Sequence, residues 1–410
     1  MGVFQELQWR GMVYDATEGL AELLDRERIT AYIGFDPTAP SIHVGTLLTV
    51  MGLARLQRFG HTPIAIVGGG TGMIGDPSGK SQERVLLSPE QIEKNIIGIR
   101  AQLERFLDFT ATPNAARIVN NADWLGKVDV LSFLRDIGKH FTVNYMLQKE
   151  SVSRRIDSED GISYTEFSYL VLQAYDFLEL FDRYQCVLQM GGSDQWGNIT
   201  AGIELIRKLR AKKAHGLVWP LMKTASGAKF GKTEAGTVWL DPALTSPFRF
   251  YQFWMNTDDR DVVNYLKFFT WLDDGAIVEL ERAVAEAPEK REAQRRLARE
   301  VTQLVHGREM LGQAERETEA LFGGGDDAEA PSIEMPADAF AGGMANTEFM
   351  VSVGLAASKG EAARLIKQGG FYINEERITD ERGRVTATDA VEGRIRARKG
   401  QRERRVVKLV

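Results

Sequence analysis

The chain has 410 residues, 43% hydrophobic and 26% charged with a net charge of −6, a composition that excludes a disordered or fibrous protein and a length that suggests about two or three domains. A single cysteine, Cys186, excludes an intrachain disulfide and fits a reducing compartment. No apolar run reaches membrane-spanning length, and the N-terminus has early acids instead of a signal-like apolar stretch, so a cytoplasmic protein without a membrane partner is expected.

Short strand-like and longer helix-like stretches alternate through the first half. "RITAYIGF" predicts a strand, "IHVGTLLTVMGLARLQRFG" a helix ending at a glycine, and "PIAIVGG" a second strand. "PEQIEKNIIGIRAQLERFLDF" has helical periodicity, with Pro89 placed for a helix start. "ARIVNN" reads as a strand, "DVLSFLRDIGKHF" as a helix, "QCVLQMGG" as a strand and "ITAGIELIRKLR" as a helix. Such alternation implies an α/β fold with a parallel sheet covered by helices. Beyond Ser246 the strands stop and helical patterns run to Phe322. "LFGGGDDAEAPSIEMPADAFAGG" is rich in Gly, Pro, Ala and acids and reads as a linker. After it come two short helices in "TEFMVSVGLAASKGEAARLIKQGG", a strand-turn-strand in "FYINEERI" and a basic hairpin in "VEGRIRARKGQRERRVVKLV". From Asn346 onward there are 14 Lys/Arg against 9 Asp/Glu, so a +5 tail follows a body of −11. A solvated charged face and a polyanion-binding surface both fit that asymmetry.

Four stretches carry candidate chemistry. Gly70-Thr71-Gly72-Met73-Ile74-Gly75 spells G-x-G-x-x-G after a strand, the form of a dinucleotide site. Pro77 and Gly79 follow too soon for the unbroken helix such a site needs. "GKS" at 79–81 fails the P-loop pattern because position 74 is Ile. What remains is a glycine turn bearing Asp76 and a cationic loop with Lys80 and Arg84. In "APSIHVGT", His43 and Gly45 fall at a helix N-terminus, where free N–H groups favour anions, although a histidine there also serves as a plain cap. "AKFGKT" puts Lys229, Lys232 and Thr233 on a glycine-hinged loop, suited to a triphosphate or a departing pyrophosphate if not merely solvated. In "TEFSYLVLQAYDFLELF", Tyr169, Gln173 and Asp176 share a helix face apart from the apolar residues Leu170, Val171, Ala174, Phe177 and Leu178. They line a pocket or form a second solvated stripe. In "VLQMGGSDQWGNITAG" a strand ends in Gly191-Gly192 and leads through Ser193, Asp194 and Gln195 into a helix, the place where open α/β sheets bind ligands.

Together these residues resemble a known family. "IHVGT" is similar to the HIGH signature and "KFGKT" to the KMSKS signature of class I aminoacyl-tRNA synthetases. "YIGFDPTAPSIHVG", "GDPSGK", "FTVNYML", "YTEFSYLVLQAYDF" and "GGSDQWGNITAG" resemble the bacterial tyrosyl-tRNA synthetases, and the likeness extends over essentially the whole chain. "ASKGEAARLIKQGGFYINEERI" resembles an RNA-binding module also found in a small-subunit ribosomal protein.

The resemblance implies a Rossmann-like catalytic domain over 1–222, the signature loop and an α-helical domain over 223–322, a linker over 323–345 and a small α+β RNA-binding module over 346–410. It implies activation of tyrosine by ATP, accompanied by Mg²⁺ without a dedicated protein metal site, and transfer of tyrosine to its tRNA by a homodimer. By the same motif match, Tyr32 and Asp176 should meet the substrate phenol, and Tyr169, Gln173 and Asp76 its ammonium group. Gln195 should orient the carboxylate; Asp194 and Gly192 should take the ribose; Gly34, Asp36, Gly45 and Thr46 should lie along the nucleotide. Thr38 and His43 should grip the γ-phosphate, and Lys80, Arg84, Lys229, Lys232 and Thr233 the pyrophosphate. Two positions depart from the family: Thr46 replaces the second histidine of HIGH, and Ile33 a cysteine often found before "GFDP". Rival readings are the tryptophanyl enzyme, an NAD oxidoreductase and an RNA-binding regulator without catalysis. The Tyr32/Asp176 pair and the basic tail favour tyrosine over tryptophan, and Pro77 argues against NAD.

Overall fold

The computed structural model describes residues 2–78, 87–110, 113–156, 161–227, 230–233, 236–322, 332–340, 342–374, 376–391, 393–400 and 403–410, with side chains omitted at 232, 233 and 320–322. Two compact units form: Met1–Ser246 with Phe253–Val305, and Pro247–Gln252 with His306–Val410.

The first unit is built on a six-stranded sheet. It begins with α1 (Val3–Trp9), β1 (Asp15–Ala16), α2 (Leu20–Arg26), β2 (Thr30–Phe35), α3 (Val44–Arg58) and β3 (Thr62–Val67). There follow α4 (Pro89–Leu103), β4 (Arg117–Asn120), α5 (Ala122–Leu125), α6 (Val130–Ser132), α7 (Val143–Leu147) and α8 (Glu150–Ile156). Then come α9 (Tyr164–Tyr184), β5 (Cys186–Gly192), α10 (Trp196–Arg210) and β6 (His215–Trp219), with a small ribbon of β7 (Lys232–Thr233) and β8 (Gly236–Thr237). The strand order is β1-β6-β5-β2-β3-β4; all neighbours are parallel except the edge pair β1/β6. Covered strands need apolar side chains on both faces, and β3 and β6 are buried along almost their whole lengths. The order reverses between β5 and β2, so a crevice opens beyond the C-terminal ends of these two strands.

Local chemistry sets the helices that border this crevice. Pro89 opens α4, as the sequence predicts, and Ser88 caps it by accepting from Gln91 N. Ser163 caps α9 by accepting from Glu166 N. One face of α9 buries Leu170, Val171, Ala174, Phe177 and Leu178 with Tyr32, Ile64 and Ile66 of the sheet. Arg155 of α8 and Glu166 of α9 pair at 2.8 Å with almost no exposure, which pins the start of α9. The stretch predicted as one helix after Asp129 is broken: α6 passes into a π turn (Phe133–Ile137) and a 3₁₀ turn (Gly138–His140). Its Val130 and Leu131 point to solvent while Phe133 packs edge-on against Tyr175, so apolar periodicity there does not mark one buried helical face.

The helices α11 (Pro247–Met255), α12 (Asp259–Phe269), α13 (Asp274–Glu286) and α14 (Glu292–Phe322) follow, the last interrupted at Gly307, whose φ is 85°. The compact units do not follow the expected boundaries at 222 and 322. Arg10 and Arg55, both buried, donate to the carbonyls of Lys267 and Thr270, and Arg55 also to Phe268, and so fasten the C-terminal end of α12 to α1 and α3. These bonds satisfy helix-end carbonyls that would otherwise be orphaned.

The second unit contains a five-stranded sheet of order β12-β11-β14-β15-β9: β9 (Ser332–Met335), β11 (Phe371–Ile373), β12 (Glu376–Ile378), β14 (Arg394–Lys399) and β15 (Glu403–Leu409). A separate pair joins β10 (Met344–Ala345) to β13 (Arg384–Val385). The helices α15 (Asn346–Ser352) and α16 (Lys359–Lys367) pack with the sheet around Phe349, Met350, Ile366, Phe371, Ile395 and Val407. The helices, the strand-turn-strand and the basic hairpin all lie where the sequence predicts. The linker needs correction: β9 lies inside the expected 323–345 span and pairs in parallel with β15. Ile333 and Met335 face the core while Ser332 and Glu334 face out, a four-residue alternation that the surrounding Gly, Pro and acids conceal. Residues 323–331 and 341 lie outside the described residues.

Candidate active site

The crevice between β2 and β5 contains a cavity of ≈540 Å³. Every expected site residue whose side chain is described lines it: Tyr32, Gly34, Asp36, Thr38, His43, Gly45, Thr46, Asp76, Tyr169, Gln173, Asp176, Gly192, Asp194 and Gln195. Lys80, Arg84 and Lys229 lie outside the described residues, and Lys232 and Thr233 are described only as the main chain of β7.

At the inner end, Tyr32 on β2 sits beside Gln189 on β5 in register. Tyr32 Oη and Gln189 Oε1 are both buried and have no hydrogen-bond partner among the described residues. Buried polar atoms are rarely left so, and a donor and an acceptor in this state await a polar ligand group. Burial first, then the Asp176 charge, holds the Tyr32 phenol well above its ordinary range, so it remains a donor. Asp176 is fixed by two donors: Trp124 Nε1 at 2.7 Å and Asn121 Nδ2 at 2.9 Å. Burial pushes its carboxyl up to about 7, with Asp36 and Glu179 adding to the rise and the bonds from Asn121 and Trp124 opposing it.

Two polar networks extend from there. Thr71 Oγ1 and Tyr169 Oη each donate at 2.8 Å to Asp36, and Asn121 Nδ2 reaches Thr71 Oγ1 at 2.9 Å. Burial, then the charges of Asp36 and Asp76, raise the Tyr169 phenol well above its usual value, which keeps that donor protonated. In the second network Gln195 Nε2 donates to Asp76 at 2.7 Å and Gln173 Nε2 to Gln195 Oε1 at 3.2 Å. Asn198 Nδ2 lies within bonding distance of both Gln173 Oε1, at 3.0 Å, and Gln195 Oε1, at 3.3 Å. The helix stripe of Tyr169, Gln173 and Asp176 therefore faces the cavity, and the solvated-stripe alternative falls.

The glycine motif makes a 3₁₀ turn at Thr71–Met73, not the helix start of a dinucleotide site. A side chain at Gly68 would strike Asp36 Oδ1 at 2.1 Å, and Gly75 takes a φ of 89° just before Asp76. Toward the outer end, His43 forms the backbone N-cap of α3 without a side-chain cap bond. Its ring meets Trp239 edge-on, and Thr46 Oγ1 lies 3.5 Å from its Nε2. Gly45 leaves the helix start open: a Cβ there would sit 2.9 Å from the His43 ring. Ile33 is buried and also lines the cavity.

Sequence reasoning missed Thr71, Asn121, Trp124, Gln189 and Asn198. Asn121 follows the C-terminal end of β4, so strand-end position was its available signal, and Gln189 is a polar residue in the middle of the otherwise apolar β5; Trp124 and Asn198 sit in helices and carried none.

In the second unit, cross-strand register places Arg377, Tyr372, Arg398 and Arg404 in one row over β12, β11, β14 and β15. The Arg398 guanidinium lies 3.8 Å from the centre of the Tyr372 ring. Arg394 and Arg396 extend the basic face, alternating with the buried Ile395 and Ala397; Arg402 lies outside the described residues.

Known proteins are similar to this chain in sequence and fold. A tyrosine–tRNA ligase of Roseiflexus castenholzii is 55% identical across 100% of this chain and 99% of its own. One from Geobacillus stearothermophilus is 54% identical across 96% of each. The solved structure of a C-terminally truncated mitochondrial tyrosyl-tRNA synthetase from Aspergillus nidulans superposes with a TM-score of 0.71 at 30% identity, covering 78% of this chain and 94% of that one. Residues 328–406 match the family described as the tyrosine–tRNA ligase SYY-like C-terminal domain. Residues 24–323, which hold five of the sheet's six strands, the cavity and both signature stretches, match the family described as tRNA synthetases class I (W and Y), and the chain belongs to that family.

Proposed function

We propose that this chain is a tyrosine–tRNA ligase: it joins L-tyrosine to ATP, giving tyrosyl-adenylate and pyrophosphate, and passes the tyrosyl group to the 3′ end of its tRNA. The observation that carries the tyrosine assignment is the inner end of the cavity, where the unpartnered Tyr32 hydroxyl adjoins the Asp176 carboxylate held by Asn121 and Trp124. A phenol donates to the carboxylate and accepts from the Tyr32 hydroxyl. Phenylalanine would leave the Tyr32 hydroxyl desolvated and unpaired and would bring the Asp176 carboxylate no further donor, which is costly. An indole N–H has no acceptor to offer Tyr32. The full-length likeness to proteins named tyrosine–tRNA ligases supports the same assignment.

In this reading the ammonium group lies among Asp76, Tyr169 and Gln173, and Gln195 orients the carboxylate. A carboxylate oxygen attacks the α-phosphorus of MgATP, the bond to the bridging oxygen breaks, and its electron pair leaves with pyrophosphate. No side-chain nucleophile takes part; placement and charge stabilisation do the work. Asp194 and Gly192 take the ribose, while Gly34, Asp36, Gly45 and Thr46 flank the nucleotide. Thr38 and His43 meet the γ-phosphate at the N-terminus of α3, where exposed amides favour anions. Lys80, Arg84, Lys229, Lys232 and Thr233 neutralise the departing pyrophosphate. A tRNA hydroxyl then attacks the tyrosyl carbonyl and AMP leaves.

The basic row on the C-terminal sheet suits an RNA backbone, with Tyr372 available for base stacking. The family resemblance implies a homodimer, and large apolar side chains such as Val130, Leu131, Val143 and Tyr164 are exposed. A monomer mass by sedimentation at assay concentration would remove the homodimer. Tyrosine-dependent ATP–pyrophosphate exchange followed by charging of tRNA tests the function; inactivity in both would reject it.

A further inference from the structure

We infer that Ser41 and Gln102 are positioning residues for the ATP step, acting through the turn at 37–43 that carries Thr38 and His43; this role rests on the functional reading above. The turn joins β2 to α3 and has no regular structure of its own before the short bridge at His43. One face of α4 holds it. Asn95 Nδ2 donates to Pro37 O at 2.8 Å, and Gln102 Oε1 accepts from Ile42 N at 2.7 Å. Between them helix and turn touch so closely that a Cβ on Gly98 would lie 2.1 Å from Pro40 O. Residues 95, 98 and 102 follow helical spacing, so the contact is a continuous stripe.

Ser41 is the node. Its hydroxyl accepts from Gln102 Nε2 at 2.9 Å and from Asp241 N at 3.2 Å, and donates to Ile42 O at 2.8 Å. That uses the full capacity of a hydroxyl, and Ser41 is only 4% exposed. The Asp241 bond continues a short ladder. Leu240 N donates to Ile42 O at 2.9 Å, Val44 N to Val238 O at 3.0 Å and Val238 N to Gly231 O at 3.0 Å. The turn is thus tied on one side to α4 and on the other to the chain that leaves Gly231 of the "KFGKT" stretch. A saturated buried network of this kind fixes a single geometry. Among the described residues none of its members hydrogen-bonds Tyr32 Oη, Gln189 Oε1 or Asp176, so its effect falls on the turn that carries Thr38 and His43.

The test uses Ser41→Ala, Gln102→Leu and Gln102→Glu in the full chain. Tyrosine affinity is measured by equilibrium dialysis without ATP, which also reports folding; kcat and KM for ATP come from pyrophosphate exchange. Misplacing reacting groups by about 1 Å costs on the order of 100-fold, so kcat/KM for ATP should fall by about tenfold or more while tyrosine affinity stays within about twofold. The double variant Ser41→Ala/Gln102→Leu should be little worse than the poorer single, because both break one network. Gln102→Glu should regain activity relative to wild type as pH is lowered, since a protonated carboxyl restores one donor beside one acceptor. Unchanged kcat/KM for ATP would overturn the role. Tyrosine affinity falling in step with it would also overturn it, by making the pair a general structural prop. An inactive wild type would instead remove the functional reading, and this role with it.

Discussion

Asp176 is the residue whose chemistry is most exposed to test. Burial brings its carboxyl up to about 7, from an ordinary 3.8, so it takes up its charge near neutrality. The proposed phenol contact needs an acceptor, so KM for tyrosine should fall as pH rises through about 7. Asp176→Asn should abolish that dependence and raise KM for tyrosine by roughly 10–100-fold, the worth of a hydrogen bond to a charged acceptor; a variant with wild-type KM and pH profile would contradict the contact. The stability sign is opposite to that of a salt-bridged acid. Between the ordinary value and about 7 the folded state holds a proton that the unfolded state has lost, so this group removes stability as pH rises across that window. Thr46→His and Ile33→Cys each introduce, at a residue that lines the cavity, the side chain the resemblance leads one to expect beside the proposed nucleotide position. Each should change KM for ATP or kcat in pyrophosphate exchange, and identical constants would show that neither position matters. The motif-borne residues Tyr169, Gln173, Asp176, Asp194 and Gln195 were legible because they sit in distinctive strings. Trp124 and Asn198 were not, since their importance comes from bonds to residues 25 to 120 positions away or to near neighbours within one helix turn, and no local pattern records them.

At the scale of elements, the α/β alternation and the order of helices and strands could be read from periodicity, because parallel strands buried on both faces are continuous apolar runs. Two elements resisted. The π and 3₁₀ turns after α6 follow an apolar stretch whose Val130 and Leu131 face outward, so periodicity misreports burial there. The strand β9 is four residues in a linker-like composition and exists through its partner β15. The seating of the "KFGKT" stretch on α3 gives a prediction at this scale. Phe230 is buried among Phe253, Trp254, Tyr265 and Phe269, and its neighbour Gly231 has a φ of 81°. A Cβ on Gly231 would lie 2.8 Å from Val44 Cγ2 and 3.1 Å from Gly45 N, at the helix start that borders the cavity. Gly231→Ala should therefore destabilise by about 1–2 kcal/mol through the left-handed backbone alone and lower exchange activity further through the displaced helix start. A thermal melt and exchange rate both equal to wild type would contradict this seating.

For the molecule as a whole, charge asymmetry and the tail hairpin pointed to a separate basic unit, and the five-stranded sheet with its Arg377–Tyr372–Arg398–Arg404 row gives that charge a face. The division of labour follows. A chain ending after Phe322 should keep tyrosine-dependent adenylate formation and lose tRNA charging by at least about tenfold, with the salt sensitivity of charging reduced. A cut after Gly343 would be a poorer experiment, because it leaves β9 without β15 and exposes Ile333 and Met335. Normal charging by the shorter chain would contradict a tRNA role for the C-terminal sheet. What the sequence could not place was the border between units: buried Arg10 and Arg55 fasten α12 to α1 and α3, and such long-range capping leaves no local signature. The central claim is that one cavity selects tyrosine and activates it with ATP. The most direct measurement is ATP–pyrophosphate exchange by the full chain with Mg²⁺ and tyrosine, tryptophan or phenylalanine supplied separately. Exchange with tyrosine alone is the predicted result. Exchange with tryptophan would keep the fold and contradict the pairing of Tyr32 with Asp176, and no exchange with any of the three would contradict catalysis itself.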